Sequence, residues 1–376
     1  MRLSRSIVGP EEAAAVTRVL LEDGYLGMGA EVAAFESELA AFLGVSTEQV
    51  SCVNSGTAAV HLAVAAALEP GDEVLVQSLT FVATFQAISA AGCVPIACEI
   101  RPETIAIDLE DAARRLTPKT RAIMPVHYAS YPAQYGEVYA FAKRHGLRVI
   151  EDAAHAFGCL VEGRPVGRGG DIVCFSFDGI KNITSGEGGA VVTADPVVGQ
   201  RIRDGRLLGV EKDSEKRYRG ERSWEFDVRR QGYRYHMSNL FAAIGRVQLR
   251  RLPGEFAPAR RRLAAHYRER LATMSGVRLL ETDLTTVIPH LQPVAVQHGR
   301  REAVREALQA IGVQSGLHYM PNHLLTFYGG GRVSLPVTEA VFAELVSLPL
   351  HPGLTLADVD TVCDVIDTVV GRAASA

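Results

Sequence analysis

The chain has 376 residues, 47% of them apolar, and a formal net charge of −4. That much apolar material over that length excludes a disordered or collagen-like chain and predicts two domains. The slight acidic balance, with arginines scattered except over residues 201–235, argues against nucleic acid as a partner.

Taken in chain order, the opening "MRLSRSIVGPEEAAAV" lacks the apolar centre of a signal peptide. The longest apolar run, "AAVHLAVAAAL", is too short to span a bilayer, so a soluble, cytoplasmic protein without a membrane partner is expected. Cysteines 52, 93, 98, 159, 174 and 363 form no CxxC pair, which predicts reduced core thiols and neither a metal site nor a disulfide framework.

The strand "VSCV" leads to a helix from Thr57 to Leu68, the strand "DEVLVQS", a helix from Phe81 to Ala91 and the strand "CVPIACEI". The alternation continues through "RAIMPVHY", the amphipathic "GEVYAFAKRHG", and the strands "LRVIED", "DIVCFSF" and "GAVVT". Strands alternating with helices predict an α/β fold whose mostly parallel sheet is covered on both faces. Beyond about residue 245 an arginine-rich helical run leads to short strands near 277 and at 287–296, then to the helices "REAVREALQAIG" and "DVDTVCDVIDTVV". This predicts a large domain over residues 1–245 and a smaller C-terminal α+β domain over residues 246–376.

In such sheets ligands bind beyond the carboxyl ends of the strands. There Ser55, Gly56 and Thr57 open a helix and offer free N–H groups and hydroxyls to an anion, although an ordinary N-cap reads the same way. Phe81 follows the next strand, as a core residue could. Asp152 ends "LRVIED" with His155 one step on, and a helix-capping carboxylate is the plain alternative. Ser176 and Lys181 flank the turn in "FSFDGIKNITSGEGG", where Gly186, Gly188 and Gly189 permit close approach. A lysine that reaches solvent explains Lys181 alone. An anion cradle, an aromatic ring, a strand-end carboxylate and a lysine at successive edges together describe a pocket for a flat, phosphorylated electrophile, pyridoxal 5′-phosphate. A lysine in low dielectric loses its proton readily, and its neutral amine can form a Schiff base while the carboxylate keeps the ring nitrogen protonated.

These residues resemble the DegT/DnrJ/EryC1/StrS family of pyridoxal-phosphate-dependent sugar aminotransferases. The resemblance runs over nearly the whole chain, through "DGYLGMGAEVAAFE", "NSGTAAVHLA", "GDEVLVQSLTFVATFQAI", "VIEDAAHAFG", "GDIVCFSFDGIKNITSGEGGAVVT", "GYRYHMSNLFAAIGRVQL", "GLHYMPNH" and "SLPLHPGLT". It implies a fold-type I, aspartate-aminotransferase-like enzyme with a seven-stranded sheet, working as a homodimer whose active sites draw on both subunits. Position by position it implies that Lys181 carries the cofactor and shifts protons, that Asp152 pairs with the ring nitrogen, and that His155 sits by the phenolic oxygen. Phe81 would stack on the ring, and Gly56, Thr57 and Ser176 would bind the phosphate.

The implied reaction is ping-pong transamination of a nucleotide-linked keto sugar, at C4 in preference to C3, with L-glutamate or L-glutamine as donor. Its product would serve a surface polysaccharide or a secondary metabolite such as an antibiotic. The basic stretch 201–236 would meet the nucleotide diphosphate, or else form a solvated loop. The chain departs from the family where it reads "GYRYHM" for "GYNYRM": Arg234 replaces an asparagine that reaches the partner's cofactor phosphate, which an arginine could still hold, and His236 replaces the arginine. Asp178 stands where relatives often carry an aromatic residue or histidine, and is expected to shape the sugar pocket. His318, Tyr319 and His323 match a substrate-side loop. His61 is expected to be a core histidine, and Gly329 to Gly331 a loop. The alternatives are a cyclitol ketone as substrate, a sugar dehydratase of the same fold, in which the lysine is replaced by histidine, and a non-catalytic scaffold.

Overall fold

Seven short strands build the large sheet: β1 (Val50–Val53), β2 (Glu73–Gln77), β3 (Val94–Cys98), β4 (Thr120–Met124) and β5 (Arg148–Asp152), and, after a small hairpin of β6 (Leu160–Val161) and β7 (Arg164–Pro165), β8 (Ile172–Ser176) and β9 (Gly189–Thr193). This computed structural model describes residues 1–371 apart from 133, 212, 219, 222 and 223. The strand order is β1-β9-β8-β5-β4-β2-β3. From β3 to β8 neighbouring strands run parallel, whereas β9 is antiparallel to both β8 and β1.

The strands read as continuous apolar runs because both faces are covered. In β8, Ile172 and Cys174 pack with the helices Gly56–Ala67 and Val82–Ala90. Val173 and Phe175 point the other way, into a cluster with Val32, Phe35 and Leu39 of the helix Ala30–Leu43. The helix Tyr135–His145 covers the same second face further along, with Val138 and Phe141 against Leu75, Ile123 and Val149.

The helical run after residue 238 is two helices, Asn239–Arg251 and Ala257–Leu271, separated by a π-helical turn at Leu252–Phe256. Pro253 and Gly254 sit in that turn, and the missing N–H of the proline accounts for the interruption. The second helix packs with those at Arg301–Ala310 and Leu356–Gly371 on a smaller antiparallel sheet of β10 (Val277–Leu279), β11 (Gln292–Val296) and β12 (Leu345–Leu348). Neither β12 nor the helix Pro336–Glu344 before it was anticipated. The helix passes into the strand with no glycine or proline between them to mark the change. The first residues of the chain lie on this smaller unit, Leu3 accepting a hydrogen bond from Leu350 and Met1 from Gln314, both at 3.0 Å. Among the described residues no helix is long and apolar enough to cross a membrane.

Candidate active site

In the large sheet β2, β5 and β8, and β1 beyond the antiparallel β9, end at the same edge, so side chains far apart in sequence meet at its carboxyl edge. After β1, Ser55 caps the next helix by accepting from the Ala58 N–H at 3.1 Å. Gly56 and Thr57 then head the helix with N–H groups that have no intrahelical partner. A β-carbon on Gly56 would lie 2.6 Å from that of Ser176, so glycine is what lets the helix start touch the end of β8. The result is a cradle of N–H and hydroxyl donors suited to an anion.

At the end of β5, Asp152 is 7% exposed and held at both oxygens. Thr84 donates to its Oδ2 at 2.7 Å and the Ala154 N–H to its Oδ1 at 3.2 Å. His155 is buried, with Nε2 3.1 Å from the Tyr319 hydroxyl and Nδ1 without a partner among the described residues. Burial, reinforced by Lys181 and His318, holds it well below the usual histidine range, so it is neutral.

The turn after β8 carries Lys181. Asp178 shapes that turn: its carbonyl accepts from the Lys181 N–H at 3.1 Å and its Oδ1 from the Ile180 N–H at 3.2 Å. Burial lowers the Lys181 amine to about 8 against the pull of Asp178 and Asp152, with Arg260 adding to the decrease. A basic amine near neutrality is thereby available as a nucleophile. Phe81 keeps 52% of its surface exposed, its ring 5.3 Å from that of Tyr319. His318 is fixed by Ser347 at 2.8 Å and lowered to about 4, chiefly by burial. Gly56, Thr57, Phe81, Asp152, His155, Ser176, Asp178, Lys181, His318 and Tyr319 all line one cavity of about 330 Å³.

Comparison with known proteins gives this cavity a family. Residues 7–367 match the DegT/DnrJ/EryC1/StrS aminotransferase family. The chain belongs to this family. It is 36% identical over 371 residues, 97% of this chain and 95% of the other, to the dTDP-4-dehydro-2,3,6-trideoxy-D-glucose 4-aminotransferase of Saccharopolyspora spinosa. Among solved structures it superposes on the aminotransferase TlmJ of Streptoalloteichus hindustanus with a TM-score of 0.90 at 33% identity, covering 99% of each chain. It superposes on the pyridoxal-phosphate form of Spr1654 from Streptococcus pneumoniae with a TM-score of 0.89 at 26% identity, again covering 99% of each. The chain is thus an aminotransferase, with the fold-type I architecture of its relatives.

In this aminotransferase two of the expected site residues lie outside the cavity. Arg234 is exposed, and among the described residues its guanidinium makes no hydrogen bond or ion pair; only its carbonyl is engaged, by Asn54 at 3.4 Å. His323 is buried between the Ser78 hydroxyl at 2.7 Å and Glu339 at 3.1 Å. Together with Asn322, which donates to the carbonyls of Ser78 and Thr80, it fastens the "GLHYMPNH" loop to the end of β2. His61 is a buried histidine 3.2 Å from the Tyr235 hydroxyl.

The described cations of residues 201–236 line no part of the cavity. Most are occupied elsewhere: Arg206 is buried against Glu36, Arg201 donates to the Ala66 carbonyl, and Arg217 pairs with Asp213. Lys212, Arg219 and Arg222 of that stretch lie outside the described residues.

Two residues next to Lys181 were not singled out in the sequence. His290, just ahead of β11, brings its Nε2 to 3.5 Å from the Lys181 Nζ. Arg260 lies behind both, its guanidinium reaching the carbonyls of Ile180, Lys181, Pro289, His290 and Leu350 at 3.3–3.5 Å. A signal for Arg260 was present. In "APARRRLAAHYRERL" it falls on the stripe of Ala257, Leu263, Ala264, Tyr267 and Leu271, at the helical spacing that marks the buried face.

Proposed function

We propose that this aminotransferase moves an amino group from L-glutamate or L-glutamine to a nucleotide-linked keto sugar, at C4 in preference to C3, in two successive half-reactions. The observation that carries the reading is the meeting of Lys181, Asp152, His155, Ser176 and a helix start on one cavity. The relative from Saccharopolyspora spinosa, named for a dTDP-linked 4-keto sugar, supports the choice of substrate and carbon.

The cofactor is pyridoxal phosphate. Its chemistry fits the residues present. The N–H groups of Gly56 and Thr57 and the Ser176 hydroxyl suit a phosphate. The Asp152 carboxylate, fixed by Thr84, suits a protonated ring nitrogen. The Nδ1 of His155 is a buried polar atom with no partner among the described residues, and a cofactor oxygen would answer it. The half-exposed ring of Phe81 offers a face for stacking. When bound, pyridoxal phosphate supplies the carbonyl that receives the amino group and the conjugated ring that holds the electron pair left on the donor.

Lys181 would hold the cofactor through its amine and, once displaced, take a proton from the donor's α-carbon. Its lowered basicity suits both tasks, because each needs the neutral amine. Asp152 would keep the ring nitrogen protonated throughout. Asp178 commits Oδ1 to the lysine turn, and among the described residues its Oδ2 makes no hydrogen bond, so it would be open to a sugar hydroxyl. His318 and Tyr319 would face the same substrate. Arg234, whose guanidinium has no partner among the described residues, would reach the cavity of a second copy in a homodimer that shares its sites. A reducing, cytoplasmic setting agrees with six buried free thiols.

The protein should be yellow, and L-glutamate should move its visible absorbance into the near ultraviolet. Borohydride should fix the cofactor on the peptide containing Lys181, and Lys181→Ala should abolish the label. A colourless protein that takes up no pyridoxal phosphate contradicts the proposal.

A further inference from the structure

The geometry points to His290 as a positioning residue for Lys181, one whose Nε2–H donates to the neutral amine and holds the lysine deprotonated and in place while that amine is free. This inference rests on the reading of Lys181 as the cofactor-bearing residue and adds a partner that acts through it.

The two side chains are brought together by long-range structure. Their nitrogens lie 3.5 Å apart, at the outer limit of a hydrogen bond. His290 is held from several sides: its backbone N–H donates to Ser130 Oγ at 2.9 Å, and its ring lies 4.5 Å from that of His155. Arg260 fixes the pair from behind, because one guanidinium touches the carbonyls of both His290 and Lys181.

The proton inventory decides which way the bond runs. Burial, then Lys181, His155, Arg260 and His318, keep the His290 imidazole well below its usual range, so it is neutral and carries a single N–H. Its Nδ1 is buried with no partner among the described residues. A proton there would leave a buried N–H unsatisfied, whereas a proton on Nε2 leaves only a bare lone pair at Nδ1, the milder defect. The favoured tautomer therefore points Nε2–H at the lysine nitrogen. A neutral amine accepts that bond, and an ammonium cannot. Protonating Lys181 would force the ring proton onto the orphaned Nδ1.

The remaining groups facing Lys181 show why such a partner matters. Asp178 and Asp152 both favour the ammonium form, while burial and the Arg260 cation oppose it. His155 and His318 are neutral neighbours. His290 adds a bias toward the neutral amine without adding a charge.

The test uses the whole protein stripped of cofactor. Pyridoxal phosphate is added over a range of pH, borohydride traps the bound form, and the rate of labelling on the Lys181 peptide is followed. In wild-type protein the rate should rise through a midpoint near the lysine's value of about 8. His290→Phe keeps the buried ring but removes the donor, and should raise the midpoint by about one pH unit, a tenfold loss of neutral amine at fixed pH. His290→Gln retains an N–H and should stay close to wild type. His290→Leu serves in place of His290→Phe should the phenyl ring not be accommodated. A folded His290→Phe or His290→Leu protein with an unmoved midpoint overturns the inference alone. Label on wild-type protein away from Lys181 overturns the proposed function, and this inference with it.

Discussion

Lys181 illustrates how a residue that costs stability is kept for chemistry. Its amine is lowered from 10.5 to about 8, first by burial. The folded value lies below the unfolded one, so between about 8 and 10.5 the unfolded chain binds more protons and stability rises with pH. Below that window the charged amine opposes folding by up to about 3 kcal/mol. In the cofactor-free protein, Lys181→Met should therefore raise the melting temperature at pH 7, and the gain should shrink as pH climbs through the window. A series of denaturation curves across pH checks this, and a gain that is flat with pH would contradict it. Lys181 and Asp152 could be found from sequence because a strand end is a local feature. His290 could not, since it reaches Lys181 from 109 residues away along the chain, and no short-range pattern records that meeting.

At the level of elements, the site depends on how closely a helix start approaches a strand end. The contact between Gly56 and Ser176 leaves no room for a β-carbon, which would sit at 2.6 Å. Gly56→Ala should push the helix Gly56–Ala67 away from β8, cost about 1–3 kcal/mol of stability, and weaken pyridoxal phosphate binding about tenfold or more. Thermal melts and absorbance titration of the cofactor would show both effects; unchanged affinity would remove the cradle from the account. The large-sheet strands were legible because burial on both faces writes an unbroken apolar run. β12 was not, being four residues long and continuous with a helix. The break at Leu252–Phe256 is marked in the sequence by Pro253 and Gly254, although the helical periodicity on either side reads as one run.

Across the whole molecule, the cavity has the carboxyl edge of the large sheet on one side and the "GLHYMPNH" loop on the other. His318 and Tyr319 reach the cavity from that loop, while Asn322 and His323 tie it to the end of β2. The loop's membership in the site was readable from resemblance, but the division of labour within it was not. Which histidine faces the cavity and which anchors depends on packing against Ser78 and Glu339. The pairing of Met1 and Leu3 with residues of the C-terminal unit was likewise invisible, since a short extended segment carries no periodicity of its own. The central claim, amino transfer to a nucleotide-linked keto sugar, is tested most directly by incubating the holoenzyme with L-glutamate and a panel of 3-keto and 4-keto nucleotide sugars, read by mass spectrometry. The account predicts the amino sugar from a 4-keto member with 2-oxoglutarate formed in equal amount; no amino sugar from any nucleotide-linked ketone, with a cyclitol ketone accepted instead, would contradict it.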